Sequence, residues 1–313
     1  MKDTNLQVMT SNKPLLIVVV GPTAIGKTSL AISIAKNFSA DIISADSRQF
    51  YKEMSIGTAV PDADELTEVR HHFIQNKSIF ENYSVGDFER DAREKLSELF
   101  STNEIVVMVG GSGLYVDAVV KGLDDFPDVN PAIRKKLNAE LNSIGLQPLQ
   151  NELRDKDPEY FKRVDHQNPH RVIRALEIIR QTGKPYSFFL GNRKQKNDFD
   201  TLLIGLTAER SLVYNRINSR VELMMENGLL EEAKALYAHR GLNALQTVGY
   251  KELFSYFDGD FTLAEAIEEI KKNTRRFAKR QGTWFRKNEA IHWFDHATGH
   301  DSIIRFIEQK KAL

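Results

Sequence analysis

Cysteine is missing from this sequence altogether. Its absence excludes disulfides, thiolate nucleophiles and zinc sites built on thiolates. A surplus of charge is missing too: 43 Lys and Arg face 43 Asp and Glu. Net charge therefore says nothing about an acidic or basic partner, and the distribution along the chain must decide. No apolar run approaches the ~20 residues that span a bilayer, so no membrane partner is expected. The opening segment, MKDTNLQVMTSNKP, is polar and lacks the apolar centre of a secretory signal. Residues 1–13 read as a flexible tail, and the cytoplasm is the expected compartment. Internal repeats and low-complexity tracts are absent as well.

What the chain does have is strand–helix alternation. LLIVVV (15–20), DIISAD (41–46) and EIVVMVGG (104–111) are short, continuous apolar runs, the pattern of strands buried on both faces. TSLAISIAKNF and SVGDFERDAREKLSELF, between them, carry helical spacing, the second opening on a Ser84/Asp87 capping pattern. GLYVDAVV also reads as helix. Such alternation implies a parallel sheet with helices on its faces. Near Gly122 the texture changes. LDDFPDVNP is turn-rich, with Asn130 and Pro131 placed as N-cap and first helical residue. From there to about Asn197 only helices are predicted. The strand pattern returns at TLLIGLT (201–207), long helices follow, and IHWF (291–294) is a last strand before a C-terminal helix. The expected organisation is an α/β, P-loop NTPase-like parallel-sheet core (14–122 and 198–313) with an all-helical insertion (123–197).

GPTAIGKT (21–28) fits G-x-x-x-x-G-K-[ST], a loop that cradles phosphate on backbone N–H groups. Gly21, Pro22, Thr23, Ala24, Ile25, Gly26, Lys27 and Thr28 form it, after a strand and before a helix, as the motif requires. Lys27 supplies a point charge and Thr28 a hydroxyl suited to a magnesium ion. The loop has the form of a nucleotide-binding, ATP-type loop. By itself it does not separate an ATPase from a kinase or another transferase.

Asp46 closes the second predicted strand. Ligands of open α/β sheets sit beyond the carboxyl ends of the strands, so Asp46 and the loop should share a crevice. There Asp46 could hold magnesium through water, accept a proton, or cap the next turn, and its position leaves all three open. Thr23 could bond either the phosphate or Asp46. GGSGLY (110–115) brings Ser112 to the third strand end. Farther on, KKNTRRFAKRQGTWFRK (271–287) holds eight Lys or Arg and no acid, after an acidic stretch with Glu265, Glu268 and Glu269. Its segregated charge suits a polyanion such as nucleic acid. Arg216 and Arg220, four apart on a predicted helix, suit a diphosphate or ordinary surface ion pairs.

Six stretches, GPTAIGKT, DSRQFYKEMSIGTAVP, GGSGLY, DHQNPHRVIRALE, QTVGYKE and TRRFAKRQGTWFR, occur in an order that resembles the bacterial tRNA dimethylallyltransferases. These are the tRNA isopentenyltransferases of the IPP transferase family, and the resemblance runs from about residue 14 to 295. Departures are small: Val60 stands where the family often has Lys, and Ser112 where it often has Thr. The resemblance implies transfer of a dimethylallyl group from its diphosphate to the exocyclic amine of an adenosine. That adenosine lies 3′ of the anticodon in tRNAs reading U-starting codons, and diphosphate leaves. It implies that residues 21–28 hold the donor, with magnesium at Thr28. Asp46 would be the general base, assisted by Thr23 and Arg220. Asp46, Ser47, Arg48, Gln49, Ser112, Arg134, Gln167, Asn168, Pro169, His170 and Arg171 would contact tRNA, with Arg276 and Arg280 on its backbone. The helical insertion would grip the anticodon arm, and the protein is expected to act as a monomer. The competing readings are a small-molecule kinase with the same loop, an adenylate isopentenyltransferase using free nucleotide, and a non-enzymatic RNA-binding module.

Overall fold

The structure is a computed structural model that describes residues 13–191 and 197–311. All but the last residue of the tail expected at 1–13 lies outside the described residues. The fold is α/β. Six parallel strands form one sheet: β1 (Leu15–Val20), β2 (Ile42–Ser44), β3 (His71–His72), β4 (Ile105–Gly110), β5 (Asp200–Thr207) and β6 (Ile291–Asp295), in the order β3-β2-β4-β1-β5-β6.

The central strand explains the apolar run that announces it. β1 is paired on both edges, to β4 and β5, and every residue of it is buried. Leu15, Ile17 and Val19 pack with α1 (Lys27–Phe38) on one face. Leu16, Val18 and Val20 pack on the other with Phe88, Ala92 and Leu96, three residues of a helix introduced below. A strand with both faces covered has no reason to alternate polar and apolar residues. Val20 is in register with Gly110 of β4 and Gly205 of β5. The chain therefore leaves β1 and β4 at one carboxyl edge of the sheet.

Two strands depart from expectation. β2 pairs only over Ile42–Ser44, although the Ala45 N–H still reaches the Val109 carbonyl at 2.7 Å. Asp46 thus stands two residues past the strand, in the turn and not in the sheet. β3 was not predicted, because two residues carry no periodicity. It is held by the pairing of Ile42 and Ile43 with His71 and His72, and by a 2.7 Å contact between His72 Nε2 and Asp41.

Before residue 122 the sheet unit also contains α2 (Ala63–Glu68), α3 (Val85–Phe100) and α4 (Gly113–Lys121). The Ser84/Asp87 capping box starts α3 as its sequence pattern requires.

Residues 122–196 form a compact unit of their own, separate from 1–121 with 197–313. Its helices are α5 (Pro131–Ile144), α6 (Leu146–Lys156), α7 (Pro158–Arg163) and α8 (Pro169–Thr182). Leu137, Leu149, Leu153, Val172 and Leu176 build its core. Arg180 on α8 bridges Glu140 on α5 and Glu152 on α6.

After β5 come α9 (Arg210–Glu226), α10 (Leu229–Leu236), α11 (Tyr250–Phe257) and α12 (Leu263–Phe285). They share a core that includes Val221, Leu229, Leu253 and Ile270, and α13 (His300–Lys311) follows β6. Among the described residues no helix is long and apolar enough to cross a membrane.

Candidate active site

Three connections leave the same edge of the sheet and meet. The first runs from β1 into α1. Gly26, the residue before α1, has φ 104°, a left-handed conformation that only glycine adopts at no steric cost. It lets the 21–28 loop curl ahead of the helix, so the positive end of α1 faces the crevice. Lys27 folds back onto the loop, its Nζ donating to the Pro22 carbonyl at 2.8 Å. Burial lowers the Lys27 pKa to about 8; neighbouring Asp46 opposes that shift and Arg220 adds to it.

The second connection carries Asp46. Its Oδ1 accepts the Arg48 N–H at 3.1 Å. Burial raises the pKa of Asp46, and the Arg48 N–H and the charges of Lys27 and Arg48 partly offset the rise. The carboxylate is therefore more basic than an ordinary aspartate. Arg220, on α9, has its pKa lowered by the surrounding protein, although its side chain is open to the cleft.

The third connection is the turn after β4. The Ser112 hydroxyl accepts the Ser47 N–H and donates to the Ser47 hydroxyl, both at 3.1 Å. The turns after β2 and β4 are thereby joined directly.

Sequence reasoning missed Gln281, the residue that locks the first and third connections together. It is 6 % exposed on α12. Its Oε1 accepts the Thr23 N–H at 2.9 Å and its Nε2 donates to the Gly111 carbonyl at 2.9 Å. The available signal was weak: an uncharged polar residue next to Gly282 inside a basic helix, where Asn273, Thr274 and Thr283 are also uncharged and polar.

Two cavities open on this arrangement. One, of about 740 Å³, is lined by residues 23–29, with Asp46, Gln49 and Arg220. The other, of about 880 Å³, is lined by Ser112, Phe277, Arg280 and Trp284 among others. Thr23, Asp46 and Arg220 belong to both walls. The expected catalytic trio therefore stands where the two spaces meet.

Other candidates are distributed unevenly. Arg48 reaches the carbonyls of Asn243 and Ala244, and Gln49 Nε2 those of Thr58 and Ala59, so both tie down neighbouring loops. Arg216 and Arg220 separate in role: Arg220 lines both cavities, whereas Arg216 lies 3.5 Å from the Ile25 carbonyl.

The charge segregation of α12 is smaller than its sequence suggests. Lys271 pairs with Glu268 and Glu222, and Lys272 with Glu269. Arg276 is exposed, bonded only within its own helix to Asn273, and Arg280 lies over the Phe277 ring at 5.7 Å.

Arg134 and residues 167–171 all belong to the helical unit and line neither cavity. There Arg134 pairs with Glu177, Asn168 caps α8, and Pro169 is its first residue. Gln167, His170 and Arg171 are exposed.

A strand–loop–helix turn of phosphate-loop form at the carboxyl edge of a parallel sheet, faced by an acid and an arginine, defines a P-loop-like α/β fold whose site suits a phosphorylated ligand. The comparisons narrow the class. A family model described as IPP transferase matches residues 49–288, and the chain belongs to that family. It is 59% identical over 295 residues to the tRNA dimethylallyltransferase of Christiangramia forsetii, covering 94% of this chain and 98% of that one. It is 55% identical over 298 residues to the enzyme of the same name from Flavobacterium johnsoniae, covering 93% and 96%. Among solved structures it resembles the tRNA isopentenylpyrophosphate transferase of Bacillus halodurans (TM-score 0.71, 41% identity, 95% and 97% covered). A eukaryotic dimethylallyltransferase solved acting on tRNA superimposes with TM-score 0.78 at 27% identity, covering 91% of this chain and 74% of that one.

Proposed function

We propose that this protein is a tRNA dimethylallyltransferase, moving the dimethylallyl group of dimethylallyl diphosphate onto an adenosine amine beside the tRNA anticodon. The observation that carries the reading is the meeting of two cavities at Thr23, Asp46 and Arg220. One space holds the phosphate loop, and the other an aromatic and cationic wall suited to a nucleobase and its backbone. A transferase needs such an arrangement, because donor and acceptor must enter separately and touch at the reacting atoms.

The chemistry follows from the charges. An adenine exocyclic amine is a weak nucleophile, its lone pair being delocalised into the ring. The allylic carbon must therefore develop cationic character as its bond to the diphosphate oxygen lengthens. The nitrogen–carbon bond forms, the carbon–oxygen bond breaks, the amine proton passes to Asp46, and diphosphate leaves. Lys27, the loop N–H groups and Arg220 stabilise the charge growing on the leaving group. Asp46 is suited to the proton because burial has made it more basic. Thr23 stands between the two sides and orients them.

A magnesium ion fits this site. Thr28 offers a hard oxygen donor on the donor-side wall. Among the described residues no group of three or more His, Cys, Asp and Glu could hold a metal unaided. That donor set suits an ion that relies on water and substrate phosphates for most of its ligands. Bound at Thr28, it would neutralise charge on the diphosphate.

In this reading the helical unit grips the anticodon arm through Arg134, Gln167, Asn168, Pro169, His170 and Arg171. Ser47, Arg48 and Ser112 shape the acceptor pocket, Gln49 contacts tRNA from the donor-side wall, and Arg276 and Arg280 meet backbone phosphates. Incubating the protein with unmodified tRNA, magnesium and dimethylallyl diphosphate, then analysing the nucleosides by mass spectrometry, tests it. A prenylated adenosine at the position 3′ of the anticodon is expected. Phosphate release from ATP with no prenylated nucleoside would replace it by the kinase or ATPase reading, and prenylation of free AMP alone by the adenylate reading.

A further inference from the structure

The wall of the donor-side cavity includes a loop, residues 55–60, that neither the phosphate loop nor Asp46 explains. Ile56 and Val60 of this loop, with Leu223 and Met224 of α9, give the cavity an apolar stretch of wall beside its charged groups. One carboxylate holds the loop. Glu232 on α10 accepts the N–H groups of Ser55 (3.0 Å) and Ile56 (2.9 Å) on Oε2. Its Oε1 accepts the Gly57 N–H (2.9 Å) and the Tyr250 hydroxyl (2.6 Å). Three consecutive N–H groups converging on one anion form a nest, here filled by the protein's own side chain.

Two further contacts restrict the loop. Gly57 lies so close to Tyr250 that a Cβ there would stand 2.6 Å from the ring. Gln49 Nε2 holds the Ala59 carbonyl at 2.8 Å. Glu232 itself lines neither cavity. It acts only through the segment it fixes.

We propose that Glu232 is a positioning residue that sets the prenyl chain length the enzyme accepts. The inference rests on the donor assignment made above. A diphosphate anchored at Lys27 enters to a fixed depth, so its hydrocarbon chain reaches a fixed distance along the apolar wall. Glu232 holds the backbone of Ile56, and with it this part of the wall, in place. A donor longer by one isoprene unit must displace the loop, and the nest opposes that movement.

Four proteins should be compared: wild type, Glu232→Gln, Tyr250→Phe and Ile56→Ala. Each is assayed with tRNA and with dimethylallyl diphosphate or geranyl diphosphate. A glutamine cannot accept three backbone N–H groups without turning its own amide donor toward one of them. Glu232→Gln should therefore raise KM for dimethylallyl diphosphate about tenfold, the scale set by losing charge-assisted hydrogen bonds. The preference for the shorter donor should fall by about tenfold on the same basis. Tyr250→Phe removes one contact of the four, so its effect should be about threefold or less. Ile56→Ala opens the wall without touching Glu232 and should by itself improve use of the geranyl donor, which keeps the idea testable if Glu232→Gln does not fold.

A Glu232→Gln protein with reduced thermal stability but unchanged donor KM and donor preference would overturn the proposal. So would an Ile56→Ala protein with wild-type preference. Wild-type protein that transfers neither prenyl group would instead remove the donor assignment beneath it.

Discussion

Replacing Gln281 with methionine tests whether the site is held together by a strut from α12. Methionine keeps the length and volume of the side chain but removes both of its polar contacts. The Thr23 N–H and the Gly111 carbonyl each lose a partner that sits at 2.9 Å in the native protein. A net intramolecular hydrogen bond is worth about 1 kcal/mol, and a buried group left unpaired costs about 1–3 kcal/mol. Thr23 lines the cavities and can turn to water, whereas the contact to Gly111 is buried. The total loss should be about 2–3 kcal/mol. At roughly 2–4 °C per kcal/mol for a chain of this size, the unfolding midpoint should fall by roughly 4–12 °C. The phosphate loop should also lose its preset shape. Affinity for a non-reactive dimethylallyl diphosphate analogue should drop about tenfold, equivalent to about 1.4 kcal/mol of added ordering cost. Saturating analogue should recover part of the lost midpoint, because a ligand that binds only the folded loop stabilises it by mass action. Calorimetry with and without the analogue measures both effects. A Gln281→Met protein with the native midpoint and native analogue affinity would show that the loop keeps its form without the strut.

Asp46→Asn should lower single-turnover prenyl transfer by at least about 10²-fold while sparing tRNA binding, since it removes the proton acceptor at constant volume; near-native turnover would exclude Asp46 as general base. The pH profile of kcat/KM should be bell-shaped. Activity should fall on acidification as the raised pKa of Asp46 is crossed and the base becomes protonated, at a higher pH than for an ordinary aspartate. It should fall again on the alkaline side near the Lys27 pKa of about 8, where the charge facing the diphosphate is lost. A rate flat across both limbs would contradict these assignments. Replacing Arg276 and Arg280 together with Ala should weaken all substrate tRNAs about equally and reduce the log–log salt slope by roughly 0.7–0.9 per lost contact; filter binding at several salt concentrations reads this, and an unaltered slope would make them ordinary surface residues. Arg180→Ala should destabilise the helical unit, because it leaves Glu140 and Glu152 without their shared partner. Arg180 holds Glu140 below the usual glutamate pKa, so this stabilisation is present above the ordinary glutamate range and lost as pH falls through the lowered value. Thermal melts of native and variant protein should therefore converge in acid, and a constant gap down to pH 2 would exclude the linkage.

The sequence by itself determined the parts whose physics is local. β1 was legible because a strand covered on both faces must be apolar throughout, and its six buried residues are consecutive. The caps at Ser84 and Asn130 were legible because a side chain just before a helix start reaches the free N–H two or three residues on. The phosphate loop was legible because its backbone shape demands glycine at Gly26, next to the lysine and hydroxyl residues that serve the ligand. What only the tertiary structure decided depends on residues far apart in the chain. Gln281 looked like one more polar residue in a basic helix until α12 brought it against Thr23, 258 residues away, and Gly111. Glu232 drew no notice in the sequence, yet three N–H groups from residues 55–57, about 175 positions earlier, converge on it. Lys271 looked like part of a polyanion-binding face until packing brought it to Glu222 of α9, 49 residues away. Short-range propensity and motif geometry are written in neighbouring letters. Pairings between distant side chains carry no local signature, because only packing determines which polar groups meet and which charges remain free.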